Sequence, residues 1–551
     1  MIFTGGFVMR KKFTCLLLCL VAMLSLAFGG CGEEDSTDLE DEVSARKAVT
    51  LNMWVISEKE ISAETEALVE EAFNELTQSK YTTKVDFIFL TEDEYFDVLD
   101  AKLAAAAENK ANEDPGFVLP GMAEETTEAV ETTAEMIVNE LGQRLLKYPD
   151  IEEHQIDIIF LAGQDRLTQY IQEGKLSSMD TNLNSTSKVL KDYIYPSFLE
   201  QIKYEKSTYA IPNNHLIGEY TYLLVNKELA EKYYIDVSKI TSFVDCADLI
   251  NEIGTKETGI APVLAYADPV NMQYWLGNND MALVASYVPA QATLGNRTVM
   301  RSLFDTTSFT DHMVLMQKCE DNGWFAADPA NTTDFGVAIL NGGYEVQEQY
   351  ADKYEVKVLT YPTLIEETVY ESMFAISAYT ANFDRAMEII TFINTNAEAK
   401  NILQYGVEGV HYEIDEDDGT FSYLNDDYRM NNLYTGNSFL AYTTEDMPAD
   451  IWENAKAANR ESRISPYYGL STDWGNVSES FLQILRDISD SYIVRMNACT
   501  NAEELSAFFA TAKSELATNE QFKAAFSTDD ESSSPYAVYS RWFARLWPSA
   551  E

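Results

Sequence analysis

Carboxylates are the most abundant residues in this chain that could do chemistry. The 551 residues include 90 aspartates and glutamates, but only four histidines and six cysteines. A glycosidase needs two positioned carboxylates, and no spacing in the sequence singles out such a pair. The motifs Gly-x-Ser-x-Gly and His-Glu-x-x-His do not occur, and no glycine-rich phosphate loop ends in Lys-Ser or Lys-Thr. No motif in the sequence therefore supports an enzyme or a cofactor.

Two further groups of residues suggest metal or redox chemistry only at first sight. The loop Asp415-Glu-Asp-Asp-Gly419 is acidic, but it lacks the alternating ligands and the distal glutamate of an EF-hand. A hairpin turn between Tyr412 and Phe421 is the better interpretation. The widely spaced cysteines beyond the N-terminal segment predict neither a zinc site nor a disulfide framework; we expect buried free thiols, or one pair with a leftover, at Cys246, Cys319 and Cys499.

Charge and aromatic content narrow the possible partners. The net charge of -51 excludes nucleic acid, because phosphate binding requires clustered lysine and arginine. The chain also has 32 tyrosines and 7 tryptophans. Most of these must pack in the core, but aromatic faces can also stack on sugar rings. Peptides or other polar solutes would be met by the same residue types.

The N-terminal segment predicts export. Arg10, Lys11 and Lys12 precede a short apolar run that ends in Gly-Gly-Cys31, which is the pattern of a secretory signal. We expect residues 1–30 to be a signal peptide and residues 31–47 an acidic tether. The sequence around Cys31 resembles the bacterial lipobox, which implies a lipid on this cysteine and membrane attachment through that lipid only, at the extracellular face. An ordinary signal peptide with an incidental cysteine is the alternative.

The rest of the chain predicts an α/β protein of at least two lobes. Residues 49–55 alternate as a strand, a helix follows, and residues 85–89 form a second strand before another helix. An acidic, low-complexity insertion occupies about residues 108–149. The apolar run 156–162 predicts a buried strand, followed by a helix over 166–173 with Asp165 as its N-cap. Further elements are strands at 220–225, 356–361 and 373–377, an amphipathic helix after 385, and a closing helix at 536–547.

Five segments together resemble the family 1 extracellular solute-binding proteins of ABC importers, in the larger lipoprotein subset of Gram-positive bacteria. They are Tyr148-Pro-Asp150 with residues 156–165 (IDIIFLAGQD), 210–226 (AIPNNHLIGEYTYLLVN), 373–385 (MFAISAYTANFDR), 405–413 (YGVEGVHYE), and Thr435-Gly436-Asn437. The acidic insertion is the departure from the family. The resemblance covers nearly the whole exported chain.

The resemblance implies a two-lobed, periplasmic-binding-protein-like fold of type II with a ligand cleft between the lobes. Lobe 1 would comprise residues 48–214 plus 362–405, and lobe 2 would comprise residues 215–361 plus 406–551. The crossovers are expected at 213–222, 361–373 and 405–411. Such a cleft lies beyond the carboxyl ends of parallel strands and closes on one molecule.

Residues that end strands or lie on crossovers are then the candidate ligand contacts. For each there is a structural alternative: packing for a tryptophan, capping for Asp165, and a backbone hydrogen bond for His411. The predicted ligand-binding residues are Trp54, Gln164, Asp165, His215, Glu219, Tyr220, Trp275, Trp324, His411, Tyr467, Tyr468 and Trp474.

The resemblance implies a protein that is not an enzyme and captures an extracellular solute for ABC permease subunits. The aromatic and carboxylate residues favour a carbohydrate or oligosaccharide as that solute. The expected partners are therefore a small-molecule solute and a permease, with no metal. The alternative is a surface lipoprotein, an adhesin or a sensor, that keeps the fold and acts through a protein partner.

Overall fold

The computed structural model describes residues 46–113, 136–138, 144–266, 277–278, 281–286, 300–415, 421–444, 447–448, 450–465, 468, 476–527 and 534–546. The predicted residues Cys31, Trp275, Tyr467 and Trp474 lie outside these ranges. Among the described helices, none is both long and apolar enough to cross a membrane.

The described residues form eighteen strands, which are arranged in six sheets. In chain order they are β1 (Val49–Ser57), β2 (Thr83–Thr91), β3 (Met136–Val138), β4 (Arg144–Leu146), β5 (Ile158–Leu161), β6 (Ala210–Pro212), β7 (Tyr220–Asn226), β8 (Ala261–Tyr266), β9 (Gly277–Asn278), β10 (Met281–Ser286), β11 (Met300–Ser302), β12 (Phe335–Gly342), β13 (Tyr354–Thr360), β14 (Thr363–Leu364), β15 (Met373–Ile376), β16 (Tyr412–Ile414), β17 (Phe421–Tyr423) and β18 (Arg463–Ile464).

The described α-helices alternate with these strands in both halves of the chain. They are α1 (Ala63–Tyr81), α2 (Glu92–Glu113), α3 (Gln164–Gln172), α4 (Asp180–Leu183), α5 (Leu190–Tyr193), α6 (Pro196–Gln201), α7 (Lys227–Lys232), α8 (Ala247–Lys256), α9 (Thr307–Asp321), α10 (Glu345–Tyr350), α11 (Glu366–Tyr370), α12 (Phe383–Thr395), α13 (Ala397–Tyr405), α14 (Ile451–Glu461), α15 (Glu479–Asn497), α16 (Ala502–Thr518), α17 (Glu520–Ala524) and α18 (Pro535–Leu546). Short 3-10 helices include Asn432–Thr435 and Ser438–Leu440.

The first lobe is built on a five-stranded sheet in the order β2-β1-β5-β15-β6. Strand β1 lies between β2 and β5 and is parallel to both, and all nine of its residues are buried. Although apolar and polar residues alternate along β1, neither face of this strand is exposed to solvent. Its polar side chains find partners instead: Asn52 Nδ2 donates to the Gln155 carbonyl at 2.7 Å, and Thr50 Oγ1 donates to the Pro149 carbonyl.

The second lobe is built on a four-stranded sheet in the order β13-β7-β12-β8. Strand β7 is antiparallel to both of its neighbours, so its first residue, Tyr220, pairs with Gly342 at the end of β12. A separate apolar core joins the C-terminal helices α15, α16 and α18 to α9. This helical part extends the second lobe.

The two sheets meet where the chain crosses between them. Strands β1, β2, β5 and β6 end on one side of the first sheet, and the antiparallel strand β15 begins there; we call this side the first edge. The start of β7 and the ends of β12 and β13 form the second edge. The chain passes from β6 to β7 with no element between them, and from β13 to β15 through β14 and α11. These connections therefore join the second edge to the first edge.

The last part of the first lobe differs from the predicted boundaries. Residues 406–442 were expected in the second lobe, with a crossover at 405–411. Instead, Tyr428 and Met430 lie in the core of the first lobe, and Asn437 Nδ2 donates to the Asn394 carbonyl of α12 at 3.2 Å. The buried aromatic and polar residues of this stretch could not be assigned to a lobe from sequence alone, because both lobes offer apolar helix faces.

Candidate functional site

The first edge carries a group of carboxylates. Glu58 follows β1, Glu92 follows β2, and Glu371 precedes β15, so the topology brings all three to the same side of the sheet. All three residues are exposed. Carboxylate oxygens in this position can accept hydrogen bonds from the hydroxyl or amide groups of a ligand.

Tyr434 stands among these carboxylates. It lies in the 3-10 helix Asn432–Thr435, and its ring packs on buried Phe160 of β5 with the ring centres 4.7 Å apart. Burial raises the pKa of the Tyr434 phenol, and the carboxylates of Glu92, Glu371 and Glu58 raise that pKa further. The half-buried ring thus combines an aromatic surface with nearby hydrogen-bond acceptors. We call residues 431–440 the Tyr434 segment.

The end of β5 is shaped by a tight turn. Gly163 has φ +89°, a conformation that favours glycine, and its N–H donates to the Tyr370 carbonyl at 2.7 Å. This turn starts α3 at Gln164, which lies half-buried at the first edge. Gln164 therefore remains a predicted ligand contact.

The second edge carries a cluster of tyrosines, and the hydroxyls of two of them, Tyr220 and Tyr344, are already paired. The Tyr220 hydroxyl donates to Glu461 Oε2 at 2.7 Å and lies 3.1 Å from the Tyr344 hydroxyl. The Tyr220 side chain is buried, and burial together with these two partners raises its pKa. This network fixes the start of β7 against α14.

The rim of the same cluster is more open. The rings of Tyr344 and Tyr361 lie 5.5 and 5.8 Å from the Tyr220 ring, and both residues are only half-buried. The Arg463 guanidinium lies 4.1 Å from the centre of the Tyr361 ring. Beside them, partial burial and the Glu345 carboxylate raise the pKa of Glu219. Tyr344, Tyr361 and Glu219 can therefore meet a ligand from the side opposite Tyr434.

The connection between the lobes holds His215. This histidine is 2 % exposed, and its Nδ1 lies 2.8 Å from the Asn213 carbonyl. Its Nε2 lies 3.4 Å from Glu371 Oε2, so His215 faces the carboxylate group of the first edge. Asn459 of α14 bonds this connection twice, from Nδ2 to the His215 carbonyl and from the Ile217 N–H to Oδ1.

Comparison with known proteins identifies this architecture. No protein-family model matches the chain. A carbohydrate ABC transporter substrate-binding protein from Streptococcus pneumoniae serotype 4 is 24% identical over 344 residues, 59% of this chain and 69% of that protein. The crystal structure of an N-glycan transport solute binding protein from Streptococcus pneumoniae has a TM-score of 0.53 at 18% identity and covers 91% of this chain and 100% of that chain. The chain has the fold of an ABC-importer solute-binding protein.

These similarities confirm the predicted two-lobed α/β fold and the predicted resemblance to the solute-binding proteins of ABC importers. The relatives are named for binding and transport, and proteins of this kind are not enzymes. That agrees with the prediction that this chain performs no catalysis.

Within the solute-binding fold, the structure contradicts the role predicted for two tryptophans. Strand β1 continues to Ser57, so Trp54 is not at its end; Trp54 is 4 % exposed and its Nε1 donates to Asn52 Oδ1 at 3.2 Å. Trp324 is 9 % exposed in the core of the second lobe, against Gly254 of α8. Neither ring can offer a face to a ligand in this conformation, because each is enclosed by its own lobe.

The structure also shows the surroundings of three other predicted ligand contacts: His411, Asp165 and Tyr468. His411 is buried, and its Nδ1 accepts from the Val407 N–H at 2.9 Å, which is the structural alternative. Asp165 is exposed in the first turn of α3 and is not the N-cap, since Gly163 occupies that position without a side-chain bond. Tyr468 is buried within the first core.

The described residues offer no group of three or more histidine, cysteine, aspartate or glutamate side chains that could hold a metal ion. A groove of about 530 Å³ runs along α2 and is lined by residues that include Asp97, Lys102 and His154. It lies on the first lobe and does not join the two edges. We therefore place the candidate site at the edges and not in this groove.

Sequence reasoning missed the residues that best define the site. Glu58 and Glu92 directly follow β1 and β2, so the rule that strand ends face the cleft would have found them with correct strand bounds. Tyr434 directly precedes the motif Thr435-Gly436-Asn437, which marked the family but was given no role. The position of Tyr344 and Tyr361 required the register of β12 and β13.

Proposed function

We propose that this protein captures an extracellular carbohydrate or oligosaccharide for an ABC importer by closing its two lobes on the ligand. The observation that carries the proposal is the pair of edges joined by the chain crossovers, with Tyr434 and exposed carboxylates at one and Tyr344 and Tyr361 at the other. Sugar rings stack on aromatic faces, and their hydroxyls donate to carboxylates. The similarity to a carbohydrate ABC transporter substrate-binding protein supports this ligand class.

The mechanism is an equilibrium between open and closed arrangements of the lobes. A ligand that contacts both edges only in the closed arrangement shifts the population toward closure by the difference in its affinity for the two states. No bond in the ligand changes. Permease subunits would receive the ligand from the closed protein, and ATP hydrolysis would belong to separate subunits.

Anchoring by lipid is part of the proposal. The signal pattern ahead of Cys31 supports export and lipid attachment, which would hold the protein at the extracellular face of the cytoplasmic membrane. Cys31→Ser should move the protein from the membrane fraction to the medium. Retention of the variant in the membrane fraction, with the same detergent requirement, would contradict the anchor.

A thermal-shift screen of the purified chain tests the ligand class. The panel contains neutral mono- and oligosaccharides, with peptides, single amino acids and calcium as matched classes of control. Binding at a hundred times the dissociation constant stabilises the folded state by about 2.7 kcal/mol, which is a shift of several degrees. A shift with one sugar class supports the proposal; a shift confined to peptides or calcium, or none at all, contradicts it.

A further inference from the structure

Lys400 is an unusual residue of the first lobe. It lies on α13, its side chain is 0 % exposed, and none of the ion pairs formed by the described residues includes it. Its Nζ donates to three acceptors: Gln404 Oε1 at 3.2 Å, the Asn432 carbonyl at 2.8 Å, and Thr435 Oγ1. An ammonium group has three N–H donors, so these acceptors satisfy all of them.

Two of the three acceptors belong to the Tyr434 segment. Asn432 and Thr435 flank Tyr434 in the same 3-10 helix, whereas Gln404 lies one turn along α13 from Lys400. Thr435 Oγ1 also donates to Gln404 Oε1, and Gln404 Nε2 donates to the Met430 carbonyl at 2.5 Å. The lysine is therefore the centre of a network that joins α13 to the Tyr434 segment.

Burial of the Lys400 amine is unfavourable for its charged form. Burial lowers the pKa of Lys400 well below its ordinary value, since a charge without a counter-ion is poorly solvated there. An apolar side chain of similar length would avoid that cost but would leave the Asn432 carbonyl and the Thr435 hydroxyl without this donor. The geometry thus favours a role in holding the segment over a role in simple packing.

The same segment is also tied to the connection between the lobes. Asn213 Nδ2 donates to the Leu433 carbonyl at 3.1 Å, and Ser372 Oγ donates to the same carbonyl. At Gly436, φ is +102°, and a Cβ atom would lie 2.7 Å from the Ile393 carbonyl oxygen, so glycine lets the segment lie close to α12. Tyr434 therefore projects from a segment that is held on two sides.

We propose that Lys400 is a positioning residue for ligand binding, which holds Tyr434 at the first edge by joining the Tyr434 segment to α13. This inference rests on the proposed function, because it gives Tyr434 a ligand to contact. Lys400 itself touches no ligand, since it is enclosed behind the segment.

The first arm of the test needs no ligand. Lys400→Met in the full chain keeps an unbranched side chain, one atom shorter, and removes the donors of Nζ. Hydrogen exchange of the amides of residues 432–435 should become about tenfold faster, because the segment loses its attachment to α13. Asn401→Ala is the matched control: Asn401 lies next on α13 but bonds Leu440, at the far end of the Tyr434 segment, and Tyr442 beyond it, so exchange at 432–435 should not change. Equal exchange at 432–435 in Lys400→Met and the wild type would overturn the proposal.

The second arm measures binding of the oligosaccharide Man5GlcNAc by calorimetry. Lys400→Met should weaken binding about tenfold in the wild-type background and less than about twofold in the Tyr434→Ala background, because the lysine acts through that ring. Equal losses in both backgrounds would overturn the positioning role.

Two results separate this inference from the proposed function. If the wild-type chain binds no sugar of the oligosaccharide panel, the proposed function fails, and the ligand role of Lys400 fails with it; the exchange arm still decides whether the lysine holds the segment. If Lys400→Met does not fold, Thr435→Val takes its place. This variant removes one acceptor and leaves Lys400 its bond to Asn432, so faster exchange and weaker binding are again expected, to a smaller extent.

Discussion

The two edges use the same residue types in different ways. At the second edge the Tyr220 hydroxyl is buried and bonded to Glu461. At the first edge the Tyr434 ring rests on Phe160, but its hydroxyl forms no hydrogen bond with any residue that the structure describes. Glu58 and Glu92, exposed beside it, likewise have no such partner among the described residues.

The comparison teaches which polar groups are available. A tyrosine whose hydroxyl is already paired contributes mainly to the stability of its lobe, whereas an aromatic ring among free carboxylates can exchange water for ligand hydroxyls. We therefore expect the first edge to supply most of the binding free energy. The second edge would complete the site on closure through its rim, Tyr344 and Tyr361.

The largest effect should come from a residue that lies at neither edge. Trp54→Ala should destabilise the first lobe by about 3–5 kcal/mol, because it leaves a cavity in the middle of β1. The affinity of the folded fraction for oligosaccharide should not change. Urea unfolding and calorimetry measure the two quantities, with Trp54→Phe as the milder control. Lost affinity at unchanged stability would instead make Trp54 a ligand contact.

The next effect tests the first edge directly. Tyr434→Ala should weaken oligosaccharide binding about thirtyfold, as expected for an aromatic hot spot, and shift the melting temperature by no more than about 2–4 °C. Tyr434→Phe retains the stacking face and should lose only about threefold. Tyr234→Ala, which removes a tyrosine that is 96 % exposed on the second lobe, is the matched control without effect. Equal affinity of Tyr434→Ala and the wild type would contradict the claim that the first edge supplies most of the binding free energy.

A smaller effect is expected at the second edge, and it should fall on the stability of the protein and not on its affinity for the ligand. Tyr220→Phe removes the donor to Glu461 and should lower the free energy of unfolding by about 1 kcal/mol, while the dissociation constant changes less than about twofold. Affinity lost in parallel with Tyr434→Ala would show that both edges bind the ligand equally.

The smallest effect concerns pH. Burial lowers the pKa of His411, and its Nδ1 must stay unprotonated to accept from Val407. The unfolded chain binds the proton more readily, so this contribution to stability is present above about pH 6.5 and is lost as pH falls from there through the folded pKa. His411→Gln should show a smaller decrease in stability between pH 7.5 and pH 5 than the wild type. Identical slopes for the two proteins would contradict this role.

Much of the fold could be read from the sequence because its central strands are continuous apolar runs. Residues 156–162 and 373–377 predicted the strands that became β5 and β15, and the closing helix was placed within one residue at each end. Local patterns decide these elements, since burial on both faces leaves few alternatives.

The site was harder to predict because it depends on ends and partners. A two-residue error at the end of β1, which was predicted to end at Val55 and ends at Ser57, placed Trp54 in the cleft and hid Glu58. Tyr434 lies in a short 3-10 helix that returns to the first lobe, and no periodicity announces such a return. Nor can sequence show that the hydroxyl of Tyr220 is paired whereas that of Tyr434 is not, because pairing depends on residues more than 200 positions apart.

Hydrogen exchange of the full chain with and without a bound oligosaccharide tests the central claim most directly. If closure on the ligand is correct, amides at the first edge (57–59, 91–93 and 432–435) and at the second edge (342–345, 361, 363 and 364) become protected together, with the stronger effect at the first edge. Protection confined to one lobe, or located along the α2 groove, would contradict capture between the two edges.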